Sequence, residues 1–495
     1  GGDAVDVRSI ASITLALTVL LTSGSVEAAG KEAPDPDRGM DADGAALTIL
    51  VGAAGGAYDL IADELIAHSG GLVTKTSGGG GSLINLESLQ RKDVDLAFVQ
   101  SDWVYKWFHG RSSRMINKDL GCRDSEEADI DASTRMETHP SFPDLRVLRP
   151  LYPAHLQVFV RPEIASLKDL EGSKVAIGAP GAASQFHARQ LLSAAGLKDV
   201  TCVEQGRRVA LQDPEVKAVI VSATMREQKE LDEEFGEGTV HILELDKQLI
   251  DRLAKNYPYY VRDGSYLSIP TLLVTRADVD RERLFRLSTS LINFAPSGLK
   301  QKFYPINQEL AILKRDIDSG GRLDQQWSDE IVGTRGAARR ALQIPLPYHA
   351  GACESFQRVA LADAGFEEFE IAGTGSFSSY TRLINSFNEQ ACQELFFDLK
   401  SKLARLIIRQ HPAGNGTRDN LQLLQSSASR KNPDGNPVEF AFAQNDCIYD
   451  AYRFGWQSGD ATACRAIGPI RGRRSVLPLS RIHLQFIVRE SSDIV

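Results

Sequence analysis

The sequence is short of positive charge: 56 Lys and Arg stand against 65 Asp and Glu, leaving a formal net charge of -9. It therefore lacks the basic footprint that neutralises phosphates along DNA or RNA, and no nucleic-acid partner is expected. Organised cysteine is missing too. The six cysteines, at 122, 202, 353, 392, 447 and 464, form no CxxC and sit near no His pair, so zinc and dithiol-redox sites are not expected. Most of them are expected to be scattered buried thiols, with one or two disulfides open to them if the chain is exported.

Catalytic signatures are absent in the same way. The chain has no GxxxxGK[ST], HExxH or GxSxG, the spacings that a phosphate loop, a zinc protease and a nucleophile elbow require. "VGAAGGAYD" lacks the GxGxxG of a dinucleotide loop, and the strand-like "LVTKT" after it ends without the acid that a ribose needs. Neither an enzyme nor a cofactor is expected. The one long apolar run, Ser9 to Val26, follows Arg8 and ends at "VEA". It is short for a bilayer span and closes on small residues, which reads as an export signal over residues 1–28 and a periplasmic location. Asp3 and Asp6 leave its flank poorly basic, and an uncleaved anchor is the competing reading.

The rest is the composition of a folded protein, 42% hydrophobic and 24% charged. At 495 residues the chain exceeds the roughly 250–300 residues at which a single core stops growing, so more than one domain is expected. Residues 29–45, rich in Pro, Gly and Asp, read as a flexible leader. From residue 46, short apolar runs alternate with Gly loops and amphipathic stretches: "ALTILVG", then "AAGGAYDLIADELIAH"; "LVTKT", then "SGGGGS" and "SLINLESLQR"; then "VDLAFVQ", apolar throughout as in a strand buried on both sides. The alternation predicts an α/β fold. Residues 109–142 read as a surface excursion, "LRVLRPLYP" and "HLQVFVR" as two strands, and 166–224 as a second α/β unit.

Four phrases then recur in order. Asn85, "DLAFVQSDWVY", "RPL" and "HLQVFVR" reappear as Asn420, "EFAFAQNDCIY", "GPI" and "HLQFIVR". Shared order over four phrases argues for a duplicated module, the second copy matching only the first part of the first.

At "VGAAGGAYDLIADEL", "GGSLINL", "DLAFVQSDWVY", "VAIGAPGAAS" and "IPLPYHAGA", the chain resembles the TAXI branch of the TRAP-transporter solute-binding proteins over about residues 46–360, with the second copy at 368–495 similar to the first part of that family. The resemblance implies a class II-like periplasmic-binding-protein fold, with lobe I at about 46–155 and 270–365, lobe II at 156–269, and a partial second module over 366–495. It also implies a small solute, an amino acid or organic acid such as glutamate or a dicarboxylate, and the membrane subunits of a TRAP transporter as partners. The ligand residues it implies are Gly55, Gly56, Tyr58, Ser82, Asn85, Gln100, Asp102, Gly181 and Ser184. At Val51, Gly79 and Ala182 the chain departs from hydroxyl residues frequent in that family.

Taken by themselves these residues keep two readings. Gly loops opening helices at 52–57, 78–82 and 178–183 suit an anion, because unpaired N–H groups and the positive helix end face it. Gly55 and Gly56 equally suit a tight turn, Ser82 and Asp102 fit helix N-caps, Tyr58 fits a half-buried ring, and Asn85 fits a brace within a helix turn. Gln100 closes a buried strand, where ligands of open parallel sheets sit. His155 in "HLQ" reads as a structural hydrogen bond and Arg161 as solvent-facing more than solute-facing. A sensory receptor reporting solute to another protein fits as well as a transport receptor.

Overall fold

The computed structural model describes residues 46–51, 57–76, 81–110, 122–124, 141–178, 183–295, 303–318, 338, 340–361, 367–372, 379–397, 404, 406–411, 438–444, 473–478 and 484–489. One compact unit covers Gly44–Ser355 and another takes in Phe356–Val495. The expected export signal and leader lie outside the described residues, as do the glycines 55, 56 and 181.

In the first unit β1 (Leu47–Leu50), α1 (Ala57–His68), β2 (Val73–Thr76), α2 (Ser82–Gln90), β3 (Leu96–Gln100) and α3 (Ser101–His109) follow one another as the alternation predicts. After β4 (Cys122–Asp124) comes β5, Leu145–Val160, a single strand of 16 residues. The second α/β stretch consists of a 3-10 turn (Leu167–Leu170), β6 (Lys174–Ala176), α4 (Ala183–Ala194), β7 (Val200–Val203), α5 (Arg207–Gln212), β8 (Val216–Ala223), α6 (Gln228–Phe235), β9 (His241–Ile242), α7 (Lys247–Asn256) and β10 (Val261–Asp263). The chain then returns through β11 (Tyr266–Arg276) and closes with α8 (Arg281–Ser290), α9 (Ile306–Asp318) and α10 (Ala350–Ala360).

These strands make one sheet in the order β2-β1-β3-β11-β5-β8-β6-β7-β4. β1 pairs in parallel with β2 and β3, and β6 in parallel with β7 and β8, whereas β11 and β5 run antiparallel to their neighbours. The result is the mixed α/β class expected: two parallel half-sheets joined by two crossing strands. β5 belongs to both halves, pairing with β11 over residues 145–155 and with β8 over 155–160.

The two strands expected at 145–161 are therefore one, and the reason lies in its prolines. Pro153 stands opposite Pro270, so neither position calls for an N–H, and they meet where β3 has ended opposite Thr271 and β8 reaches only to His155. Prolines that punctuate the sequence break no ladder there.

Along the far half of β5 the side chains alternate between two cores. Leu156, Val158 and Val160 pack with Phe186, Leu191, Leu249 and Leu253 of α4 and α7, while Phe159 joins Ala210, Leu211 and Leu231 of α5 and α6 on the opposite face. In the near half, Leu47 and Ile49 of β1, Ile61 and Leu65 of α1, Leu86 and Leu89 of α2, and Leu96 to Val99 of β3 are buried. Arg161 closes the far half by donating to Leu211 O at 2.7 Å, Asp213 O at 3.0 Å and Val216 O at 3.3 Å. It is thus a clamp on backbone carbonyls and not the solvent-facing residue expected.

The expectation of buried free thiols is overturned for three of the described cysteines: Cys202, Cys353 and Cys392 are disulfide-bonded. Spacing gives no hint of this, because disulfide partners are chosen by distance in the fold.

The second unit holds β12 (Glu367–Ala372), α11 (Ser379–Phe397), β13 (Leu406–His411), β14 (Val438–Gln444), β15 (Arg473–Pro478) and β16 (Leu484–Arg489). Its sheet has the order β13-β12-β14-β16-β15. β12 is parallel to β13 and β14, and β16 lies antiparallel between β14 and β15. Asn388 of α11 ties helix to sheet, donating to Ile408 O at 2.8 Å and accepting from Ile408 N at 2.9 Å.

Candidate binding site at the end of the central strands

Sheet register sets a row of three polar side chains. Thr271 of β11 stands opposite Gln100, the last residue of β3, and opposite Tyr152 of β5. Directly opposed residues of antiparallel strands share a face, so Gln100, Thr271 and Tyr152 point the same way. All three are buried. A register shift between Thr271 and Leu272 marks an irregularity beside the row, a device that re-aims side chains next to sites.

Helices deliver further groups to the Gln100 end of the row. Ser82, the first residue of α2, accepts from Gln100 N at 3.1 Å, and the Tyr58 hydroxyl of α1 lies 3.5 Å from its Oγ. The Tyr58 ring rests 5.5 Å from that of Phe98 in β3. One helical turn past Ser82, Asn85 donates to Phe98 O at 2.9 Å, but its Oδ1 is buried without a hydrogen-bond partner. Thr271 sits against the Tyr58 and Tyr152 hydroxyls, and hydrogen bonding to it pulls the pKa of both down. Burial outweighs that pull. It pushes the Tyr58 hydroxyl up to about 12 and the Tyr152 hydroxyl higher still, so both phenols stay neutral and able to donate.

The cap readings of Ser82 and Asp102 do not hold. The cap of α2 is Gly81, at φ 104, and that of α3 is Gln100, neither with a side-chain cap bond. The positive φ is why glycine sits at 81. Ser82 is released to hold Gln100, and Asp102 points inward.

Asp102 is fully buried. Its Oδ2 lies 3.7 Å from Lys106 Nζ, one turn along α3, and 3.5 Å from His187 Nε2 of α4. The Lys106 ammonium sits 2.9 Å from the centre of the Phe186 ring, a cation over an aromatic face. Burial pulls Lys106 down to about 8 against the attraction of Asp102, and pulls His187 down to about 4. Behind His187 a relay runs on. His187 Nδ1 lies 2.8 Å from the Tyr260 hydroxyl, Tyr260 donates to Gln190 Oε1 at 2.5 Å, and Gln190 donates to the Tyr259 hydroxyl at 2.8 Å. Ser101 donates to Tyr259 O at 3.0 Å. α3, which follows the near half-sheet, is thereby tied to α4 and the 257–260 turn of the far half.

Ser184, at the start of α4, accepts from Ser222 N of β8 at 3.0 Å. His155 meets Asp263 Oδ2 at 3.2 Å, the structural bond expected of it. The structure thus gathers Tyr58, Ser82, Asn85 and Gln100 at one end of the row, sets Asp102 in the ion cluster on α3, and leaves Ser184 on the far half-sheet. Sequence reasoning missed Tyr152, Thr271, Lys106 and His187. The first two become site residues only through cross-strand register, which no local pattern encodes. Lys106 had a readable signal, standing four residues after Asp102 on a helix. Among the described residues no group of three His, Cys, Asp or Glu gathers to hold a metal, and no helix is long and apolar enough to cross a membrane.

Residues 122–264, the crossing strand and most of the far half-sheet, match the model of the NMT1-like family. Among solved structures, the chain is similar to the alkanesulfonate-binding protein SsuA from Xanthomonas axonopodis pv. citri bound to MOPS, at 13% identity over 74% of this chain and 99% of that one, with a TM-score of 0.32. It is similar at 12% identity to a putative sulfonate ABC transporter periplasmic sulfonate-binding protein SsuA from Methylobacillus flagellatus, over 65% of this chain and 86% of that one, TM-score 0.34. A TRAP periplasmic solute-binding protein from Anaerococcus prevotii with bound glucuronate matches at 11% identity over 50% of this chain and 77% of that one, TM-score 0.31.

Proposed function

We propose that the chain is an extracytoplasmic solute-binding receptor of a TRAP-type transporter. The observation that carries the reading is the buried row Gln100–Thr271–Tyr152 at the carboxyl end of β3, with the buried Asn85 Oδ1 beside it left without a hydrogen-bond partner. Buried polar groups are ordinarily satisfied, and ligands of open α/β sheets lie beyond the strand ends. The near half-sheet is lobe I and the far one lobe II. Tyr58, Ser82, Asn85 and Gln100 hold the solute from lobe I, with Asp102 setting the field behind them; Ser184 meets it from lobe II, and the glycines 55, 56 and 181 offer backbone N–H groups. The solute is a small organic acid or amino acid, such as glutamate or a dicarboxylate, and closure is stabilised by its higher affinity for the closed state.

The disulfide-bonded cysteines support an oxidising compartment outside the cytoplasm. Residues 366–495 are a partial second copy of lobe I. Its sheet repeats the order and directions of the first: two parallel strands flank β12 as β2 and β3 flank β1, and the next strand is antiparallel.

Thermal unfolding of the full chain against amino acids, dicarboxylates, sulfonates, sugars and nucleotides tests the reading. A true solute at about a hundred times its dissociation constant adds roughly 2.7 kcal/mol. A shift with a small acid or amino acid supports a receptor. A shift with nucleotides alone, or none at all, sinks it.

A further inference from the structure

Just beyond Gln100 the chain buries an ion pair. Asp102 is fully enclosed and Lys106, one helical turn further along α3, is almost so, with the carboxylate Oδ2 and the ammonium 3.7 Å apart. The ammonium rests 2.9 Å from the centre of the Phe186 ring of α4, and Asp102 Oδ2 lies 3.5 Å from His187 Nε2 on the same helix. While both charges are present they cancel. The cancellation matters for binding, because the charge of Asp102 reaches the hydroxyls of Tyr58 in α1 and of Tyr259 and Tyr260 in the turn before β10, and Tyr58 is one of the residues given to the solute. Without its proton Lys106 would leave Asp102 a lone buried carboxylate behind an acidic solute, and like charges repel over several ångström where water is scarce.

No other group around the pair takes over that role near neutral pH. Burial pulls His187 down to about 4, pushes the Tyr58 hydroxyl up to about 12 and pushes Tyr259 and Tyr260 up as well, so all four stay neutral. Burial brings Lys106 down to about 8. Its charge therefore changes just above neutrality, while theirs does not.

We propose that Lys106, without touching the solute, sets the charge preference of the site: protonated, it neutralises Asp102 and admits an acidic solute; deprotonated, it turns the site against acids. The proposal rests on the receptor reading given above and acts through Asp102.

Titration calorimetry of the full chain with glutarate and succinate, both dianions throughout about pH 6.5 to 9.5, tests it. The dissociation constant should be flat below about pH 7 and rise about tenfold or more through a midpoint near 8, the scale of one unit charge acting across roughly 8 Å at the effective dielectric of protein sites. Lys106→Arg, which keeps its charge over that range, should show no such rise. Asp102→Asn combined with Lys106→Met removes both charges and should also lose the pH dependence. A flat profile in the unaltered chain, or the same rise in either variant, overturns the proposal and leaves the receptor reading standing. Failure of both acids to bind at about pH 6.5 sinks both.

Discussion

The near half-sheet of the first unit and the sheet of the second start alike and end differently. Each opens with three parallel strands, in the orders β2-β1-β3 and β13-β12-β14, and each then accepts an antiparallel neighbour. In the first unit that neighbour is β11, which returns only after the whole far half-sheet has been laid down, and beyond it lies the continuous β5. In the second it is β16, with β15 beyond, a local hairpin. Between "RPL" at 149 and "HLQ" at 155 the first unit spends 6 positions; between "GPI" at 468 and "HLQ" at 483 the second spends 15, nine more. Those added residues let the strand double back. The returning "HLQFIVR" then covers the edge that β11 covers in the first unit, and a covered edge is one less template for aggregation. The lesson concerns function. The row Gln100–Thr271–Tyr152 exists only because a strand from far along the chain comes to lie between β3 and β5, and a sheet closed by its own hairpin has no such strand.

The largest expected consequence of the difference is acid sensitivity of the first unit. His187 is fully buried, and burial lowers its folded pKa to about 4 from 6.5. The unfolded chain therefore binds more protons between those values. The stabilising contribution is fully present above about 6.5 and is lost as pH falls towards 4, amounting to about 3 kcal/mol. Hydrogen exchange followed from pH 7 to 4 should show β3, β5 and β11 losing protection before β12 and β13, and His187→Phe should flatten the slope. Equal loss in both sheets would break the distinction. A smaller effect separates the two glutamines that close equivalent strands, Gln100 at the end of β3 and Gln444 at the end of β14. Gln100→Ala should weaken solute binding about tenfold in titration calorimetry, the range of one buried hydrogen bond, while Gln444→Ala should leave it within about twofold.

What could be read in the sequence was what short-range physics encodes. Strand and helix alternation, the fully buried β3 and the structural role of His155 follow from period, apolar continuity and a repeated phrase, and each is found. One strand stands where two were expected, since proline is unfavourable inside a strand unless it faces another residue needing no N–H, and Pro270, which faces Pro153, lies more than a hundred residues away. Ser82 and Asp102 carried residue types suited to caps, but Gly81 and Gln100 take those positions and free both side chains for longer-range contacts. Arg161, Thr271 and Tyr152 owe their roles to cross-strand register or to packing. Such pairings are chosen by the whole sheet, and no window of the sequence contains them.

The most direct test of the central claim is a crystal structure of the protein with the solute selected by thermal unfolding. The account predicts that solute lies across Gln100, Thr271 and Tyr152, within hydrogen-bond reach of Tyr58 or Ser82, and contacts no residue of β12 to β16. Solute bound in the second unit, or away from the row, would contradict it.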